Sequence, residues 1–213
     1  MLATDFQPNR LEAAKEAAIS FVDALPFQTK IGIISFSGAS YIKLRPSNEI
    51  IEVKQSIKSI NTELIAGTGI GEAIITSTNL LTSEKPPSSL ILITDGQNNI
   101  GASIEEGLAY AKAHNIIINT IGIGTKEGGG FKNYNETVIS KVNFDDLKII
   151  AKETNGKSFL VSDEKDINNA YLEIANLKEG TKRLDLSNYS LILGIFILIL
   201  EWILLSTKYR TIP

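Results

Sequence analysis

The sequence lacks cysteine altogether and has only one histidine and one tryptophan in 213 residues. Without cysteine, the chain has no disulfide framework, no catalytic thiolate and no cysteine-ligated zinc site. The one histidine, His114, follows the helical stretch "GLAYAKAH", where a cation suits the C-terminal end of a helix. The formal net charge of −3 gives no reason to expect a nucleic-acid partner.

One long hydrophobic run lies near the C-terminus. The stretch "YSLILGIFILILEWILLS", residues 189–206, carries a single charged residue, Glu201. A membrane-spanning helix needs about 20 apolar residues, with a lower limit near 17. No polar face recurs at helical spacing, which argues against a buried core helix. We therefore predict one transmembrane helix at 189–206 in contact with the lipid bilayer, preceded by a linker at 179–188 and followed by a short tail at 207–213.

Glu201 is a membrane-embedded polar residue in this interpretation. A carboxylate near the centre of a bilayer costs a few kcal/mol. Glu201 is five residues from Ser206, so its side chain could reach the membrane interface. The other interpretation is a polar contact with a second membrane helix, and both stay open at this point.

The first 178 residues alternate between helical and strand-like segments. Helical patterns at 9–25, 48–60, 71–81, 103–114, 144–153 and 164–177 separate strand-like runs at 30–37, 40–46, 89–94, 115–124 and 157–161. Most of the strand-like runs are apolar throughout, which is typical of a parallel sheet covered on both faces. We predict an α/β fold with an open, doubly wound, mostly parallel sheet, and a long polar loop around residues 125–142.

The stretch "SSLILITDGQNN", residues 88–99, ends a buried strand on Asp95. Ligands of open α/β sheets bind outside the carboxyl ends of the strands, where Asp95 lies. A carboxylate there could hold a hard cation, but Asp-Gly pairs also begin ordinary turns. The residues alone leave both interpretations open.

A second candidate motif is "AGTGIGEAI", residues 66–74. It could simply begin a helix with Thr68 as the cap. A dinucleotide-binding loop is disfavoured because no convincing strand precedes it and the G-x-G-x-x-G pattern is not met. The remaining interpretation gives the Thr68 hydroxyl as a neutral ligand to the same cation that Asp95 binds.

Four stretches together resemble the von Willebrand factor A domain, and more closely its membrane-anchored Bat-type (aerotolerance) members: "LPFQTKIGIISFSGASY", "AGTGIGEAI", "LILITDGQNN" and "INTIGIGT". The resemblance implies a metal ion-dependent adhesion site that binds Mg²⁺. In that family the ion is held by an Asp-x-Ser-x-Ser loop, a separate threonine and a separate aspartate. Thr68 matches the threonine and Asp95 matches the aspartate.

The Asp-x-Ser-x-Ser loop is not found in these 213 residues. In the family it follows the first, central strand and precedes a stretch like "MLATDFQPNRLEAAK", which here begins at Met1. The resemblance therefore leads us to expect a sheet without its first central strand, and Mg²⁺ binding that is weak or absent in this chain. An N-terminally truncated sequence is one explanation, and a true metal-less variant is the other.

The resemblance implies a membrane-anchored protein-binding module, not an enzyme, with an incomplete metal site and its folded domain outside the cytoplasmic membrane. It implies assembly with other Bat-type proteins and a MoxR-type AAA ATPase. The alternative is a metal-dependent, phosphatase-like hydrolase that uses Asp95. That alternative would need further carboxylates at the same edge, whereas Asp145 and Asp146 open a helix and suit its dipole.

We predict that residues 189–206 anchor the chain. Because the run is long enough to cross a bilayer, washing membranes with alkaline carbonate should leave the full chain in the pellet. A chain that ends at Gly180 should remain in the supernatant. Release of the full chain by the carbonate wash would contradict the membrane anchor.

Overall fold

The structure is a computed structural model that describes residues 1–61, 67–84, 88–96, 98–124, 129–133, 136–140, 143–179 and 194–202. The chain divides into two compact units, Met1–Leu177 and Lys178–Pro213. The first unit contains the α/β fold. Its helices are α1 (Arg10–Ala24), α2 (Ile50–Lys58), α3 (Ile70–Thr82), α4 (Ile104–Ala113), α5 (Phe144–Glu153) and α6 (Glu164–Glu179). Its strands are β1 (Ile31–Phe36), β2 (Ser40–Ser47), β3 (Ser89–Thr94), β4 (Ile117–Ile123), β5 (Gly129–Asn133), β6 (Glu136–Ser140) and β7 (Ser158–Val161).

The described strands form three separate sheets. Strands β3, β4 and β7 make a parallel sheet in the order β3-β4-β7, whereas β1 pairs antiparallel with β2, and β5 with β6. Each parallel connection passes through a helix, as parallel pairing requires. The α/β class is therefore confirmed, but the predicted single sheet is divided.

Strands β1 and β3 each have one edge without a strand partner in the described part of the chain. Helix α3 packs against both strands. On the other face, Phe21 of α1 packs in a cluster with Ile91 and Ile93 of β3, and Val22 of α1 packs with Ile31 and Ile33 of β1. The helices thus hold the two sheets together although β1 and β3 do not pair.

Burial differs between β4 and β3. From Ile118 to Ile123, β4 is buried at every position, because it is paired on both edges and covered on both faces. In β3 most positions are only partly buried. A parallel strand of a doubly covered sheet is normally buried throughout. The partial burial of β3 therefore follows from its unpaired edge.

One predicted loop is wrong. Within residues 125–142, predicted as a long polar loop, the structure has the antiparallel hairpin β5–β6. The physical reason is visible in the sequence, because Thr137, Val138 and Ile139 are β-branched residues that favour strands. We predicted a loop because the glycines at 128–130 favour one, and we gave the β-branched residues too little weight. The remaining helices and strands of the first 178 residues lie where the pattern predicted them, to within a few residues.

Half of the predicted transmembrane segment lies outside the described residues. Only 194–202 of residues 189–206 are described, and they form a helix in which Glu201 and Trp202 are exposed. Across the described portions of the chain, no helix is long and apolar enough to cross a membrane. The C-terminal transmembrane helix therefore stays a prediction.

The turn between α5 and β7 gives a test of the fold. A Cβ on Gly156 would lie 1.9 Å from the backbone oxygen of Ile118 in β4, so Gly156→Ala must push the turn away from the sheet. We expect a loss of about 3 kcal/mol in the free energy of unfolding of residues 1–180, measured by urea denaturation.

The neighbouring Asn155 provides the matched control. Its φ is +58°, a conformation that glycine adopts readily. Asn155→Gly should therefore change stability by less than about 1 kcal/mol. Equal losses from the two substitutions would contradict the close approach of this turn to β4.

Candidate functional site

The candidate site lies where the C-terminal ends of β1 and β3 meet the start of α3. The backbone N–H of Gly69 donates to the carbonyl of Ser37, just after β1, at 2.7 Å. The backbone N–H of Asn99, in the loop after β3, donates to the carbonyl of Thr68 at 2.9 Å. The segment 67–69 therefore joins the ends of two strands that do not pair with each other.

Two amide side chains fix this segment. The Oδ1 atom of Asn98 accepts from the backbone N–H of Ile70 at 2.6 Å, and its Nδ2 atom donates to the carbonyl of Ala102 at 3.0 Å. The Oδ1 atom of Asn99 accepts from the backbone N–H of Thr68 at 2.7 Å. These bonds tie the β3–α4 loop to the N-terminus of α3, whose first N–H groups have no partner within the helix.

Thr68 does not cap α3. The N-cap residue is Gly69, and the Asn98 side chain from the other loop accepts the N–H of Ile70, the first residue of the helix. Thr68 instead lies against Gly96, the residue after Asp95. A Cβ built on Gly96 would lie 3.3 Å from Thr68 Oγ1. The absence of a side chain at position 96 is what lets the Thr68 hydroxyl approach the backbone next to Asp95.

Asp95 itself is an acceptor for two cationic groups. The amino group of Met1 contacts its Oδ2 atom, and Arg10 Nη1 donates to the same oxygen at 3.3 Å. The guanidinium of Arg10 is held more tightly by Asp5, with Nη2 to Oδ2 at 2.6 Å and Nε to Oδ1 at 2.8 Å. Arg10 thus forms a two-bonded fork with Asp5 and a longer bond with Asp95.

This ion-pair group is buried. Arg10 is 0% exposed, and the side chains of Asp5 and Asp95 are 12% and 13% exposed. Burial alone would lower the pKa of Arg10, but hydrogen bonds to Asp5 and the charges of Asp5 and Asp95 more than offset it, and the pKa is raised. The guanidinium is therefore a permanent charge inside the fold.

Sequence position explains how the group assembles. Arg10 is the first residue of α1, and its backbone N–H donates to the carbonyl of Ala3 at 3.1 Å. Asn9 caps the helix by accepting from the backbone N–H of Glu12 at 3.0 Å. The segment before α1 is thereby folded back over the helix, with Phe6 only 2% exposed, and this brings Asp5 to Arg10.

The residues at this edge have suitable ligand chemistry for a hard cation. Mg²⁺ binds carboxylate and hydroxyl oxygens, which Asp95 and Thr68 supply. Asp95 is already paired with positive charge, so an added cation must share its carboxylate with Arg10 and with the amino group of Met1. Among the described residues, no three acidic or histidine side chains gather as a metal centre. Asp145 and Asp146 lie in the first turn of α5, and Asn143 donates to Asp146 at 2.6 Å.

The structure thus places Thr68 and the Asp95–Gly96 turn together, whereas Glu201 lies in the second compact unit. The sequence reasoning missed the roles of Asn98 and Asn99, although two amides after a strand-ending Asp-Gly are a loop-fixing signal. It also missed Arg10 and Asp5. No local sequence pattern predicts the ion pair between Arg10 and Asp5, because the two side chains meet only when the segment before α1 folds back.

The chain belongs to the von Willebrand factor type A domain family, whose family model matches residues 4–173. Among curated proteins, the UPF0353 protein of Mycolicibacterium gilvum is 30% identical over 196 residues, which cover 84% of this chain and 56% of that protein. The UPF0353 protein of Mycolicibacterium paratuberculosis is 28% identical over 190 residues, covering 83% and 57%. The chain therefore spans little more than half the length of these curated relatives.

Solved structures confirm the Bat-type resemblance. BatB from Bacteroides thetaiotaomicron is 30% identical with a TM-score of 0.71, covering 83% of this chain and 93% of that one. An aerotolerance-related membrane protein from Bacteroides fragilis is 29% identical with a TM-score of 0.68, covering 81% and 93%. Proximal thread matrix protein 1 from mussel byssus, described with a zinc-occupied MIDAS motif, is 17% identical with a TM-score of 0.61, covering 79% and 42%. At that identity its likeness shows the fold alone.

The role of Asn98 can be tested through stability. Asn98→Ala removes the acceptor for the N-terminus of α3 and should lower the free energy of unfolding of residues 1–180 by about 1–2 kcal/mol. Asn98→Asp keeps an acceptor oxygen and adds a negative charge that favours a helix N-terminus, so it should lose less. Urea denaturation of both variants measures the difference. Equal stability of Asn98→Ala and the unsubstituted protein would show that this bond does not hold the two loops together.

Proposed function

We propose that this chain is a membrane-tethered, protein-binding module that binds its partner at the edge formed by residues 67–71, 95–96 and 98–101. The observation that carries the proposal is the arrangement at this edge, where a threonine hydroxyl lies beside the turn that follows a strand-ending aspartate. Thr68 and Asp95 would hold a Mg²⁺ ion there. A carboxylate of the partner protein would then complete the coordination of this ion.

The small number of protein ligands predicts weak Mg²⁺ binding. Two protein oxygens leave most of the six positions around Mg²⁺ to water, and Mg²⁺ gives up water reluctantly. The positive end of α3 also faces this edge and disfavours a cation. The negative charge of Asp95 must offset that dipole, the nearby guanidinium and the amino group of Met1, so Mg²⁺ binding is expected to be weak.

Membrane tethering rests on the apolar run at 189–206 and on the relative described as an aerotolerance-related membrane protein. We place the folded domain outside the cytoplasmic membrane. The candidate partners are other Bat-type proteins and a MoxR-type AAA ATPase, as the family resemblance implies. Glu201 would then lie within the membrane-embedded segment, as either an interface-reaching residue or a polar contact for a partner helix.

A binding experiment with the full chain in detergent tests this proposal. Tagged chain should retain a purified Bat-type partner in millimolar Mg²⁺ and lose at least about tenfold in affinity in EDTA, since a charge-assisted contact would disappear. Asp95→Asn should show the same loss without EDTA. Gly96→Ala should weaken binding too, because the new methyl group would press on Thr68 Oγ1.

The control substitution is Asp23→Asn, which removes an equal charge near the C-terminal end of α1, far from Arg10 along the helix. The Asp23 side chain is 56% exposed and pairs with Lys54 at the surface, where ion pairs contribute little. It should leave binding unchanged. Retention of the partner by Asp95→Asn at full affinity would overturn the proposed binding edge.

A further inference from the structure

We propose that the folded domain rests on a lipid bilayer through the exposed side chains of Phe27 and Ile51, which we call the basal face. This face lies at the end of the fold away from the binding edge. The proposal rests on the proposed function for the membrane tether alone. It needs neither a bound cation nor a partner protein.

The direction of α1 places Phe27 at this end. The helix begins beside the binding edge, where Arg10 bonds to Asp95. Phe27 lies between the end of this helix and the start of β1, whose C-terminal end is at the binding edge. The backbone N–H of Thr29 donates to the carbonyl of Pro26 at 2.9 Å, which closes a turn around Phe27.

Ile51 lies at the same end, because α2 runs antiparallel to α1. Near the start of α2, Lys54 pairs with Asp23, which is near the end of α1. Near the start of α1, Lys15 donates to the carbonyl of Ile60, just after α2, at 3.0 Å. Ile51 belongs to the first turn of α2 and is therefore at the end of the fold where α1 finishes.

Both side chains of the basal face are unusually exposed. Phe27 is 76% and Ile51 75% exposed, whereas the next most exposed large hydrophobic residue described within 1–177 is Ile149, at 52%. Isolated exposed apolar residues are common on soluble proteins. Two so exposed at one end of the fold form a surface that suits the membrane interface, where aromatic and aliphatic side chains insert.

The path of the chain indicates a bilayer as the occupant of this face. Glu173, near the end of α6, pairs with Lys157 at 2.6 Å. Lys157 precedes β7 and so lies at the N-terminal end of the parallel sheet, away from the binding edge. Helix α6 therefore finishes at the basal end. Residues 180–188 lead from it to the apolar run and reach at most about 32 Å when fully extended.

The charges near the basal face favour apolar contact over attraction to anionic lipids. Lys30, just before β1, pairs with Glu84 at 2.8 Å. Glu52 lies next to Ile51 and adds negative charge. We therefore expect contact with zwitterionic lipid, stabilised by the removal of the two apolar side chains from water.

Labelling of the full chain tests this contact. The chain has no cysteine, so one introduced cysteine carries one fluorophore. The labelled chain is reconstituted in phosphatidylcholine vesicles after Phe27→Cys, Ile51→Cys or, as a control at the binding edge, Ile100→Cys. Ile100 is also exposed, at 42%. Lipid that carries a nitroxide near its headgroup should quench the first two labels and leave the third unquenched.

A second substitution tests whether the apolar side chain makes the contact. With the label at Ile51→Cys, Phe27→Glu should lower the ratio of lipid-contacting to free domain at least about tenfold, because a large apolar side chain is lost and a charge is added. The matched control is Ile149→Glu, an exposed position in the middle of α5. It should leave the quenching unchanged. Equal quenching in Phe27→Glu and the unsubstituted chain would contradict the proposed contact.

The outcomes separate this inference from the proposed function. Release of the full chain from the vesicles by alkaline carbonate would overturn the membrane tether, and the inference with it. A chain that stays in the vesicles, with labels at positions 27 and 51 quenched no more than the label at position 100, would overturn the inference alone. Labels at 27 and 51 shielded from both the lipid nitroxide and aqueous iodide would show that protein covers the basal face, which also contradicts the inference.

Discussion

The buried guanidinium of Arg10 connects three parts of the molecule that the sequence keeps apart: the segment before α1, the first turn of α1 and the C-terminal end of β3. Removing one partner from a buried ion pair typically costs about 3–5 kcal/mol, because the remaining charge is left without compensation. Asp95 therefore has two tasks. It follows β3 as the structural partner of a buried cation, and it would offer a charged oxygen ligand to a divalent ion at this edge.

Much of the fold could be predicted from local pattern. The apolar runs of β3 and β4 and the helical segments depend on neighbours in sequence, and the structure has them where the pattern predicted them. The hairpin β5–β6 was missed because a glycine cluster obscured three β-branched residues. The division of the strands into three sheets was not predicted, because which strands pair depends on tertiary packing.

The site was less predictable, for a physical reason. Thr68 and Asp95 could be assigned to one site because their motifs resemble those of the von Willebrand factor A domain. The bonds of Asn98 and Asn99 to the segment 67–71 join residues about thirty positions apart, and the bond of Arg10 to Asp95 spans 85 positions. Such contacts depend on tertiary packing. They modify the simple view of Asp95 as a metal ligand, since its carboxylate is already in balance with a buried positive charge.

The central claim is that the edge between the ends of β1 and β3 is the cation-dependent binding edge of this von Willebrand factor type A domain. The most direct test is a Mn²⁺ titration of the isotope-labelled full chain in detergent, followed through its backbone amide NMR signals. The account predicts that the signals of Thr68 and Gly96 broaden at lower Mn²⁺ than those of Asp23 and Lys54, near the C-terminal end of α1, because paramagnetic broadening falls steeply with distance from the ion. Broadening that begins elsewhere, or that is uniform over the domain, would contradict it.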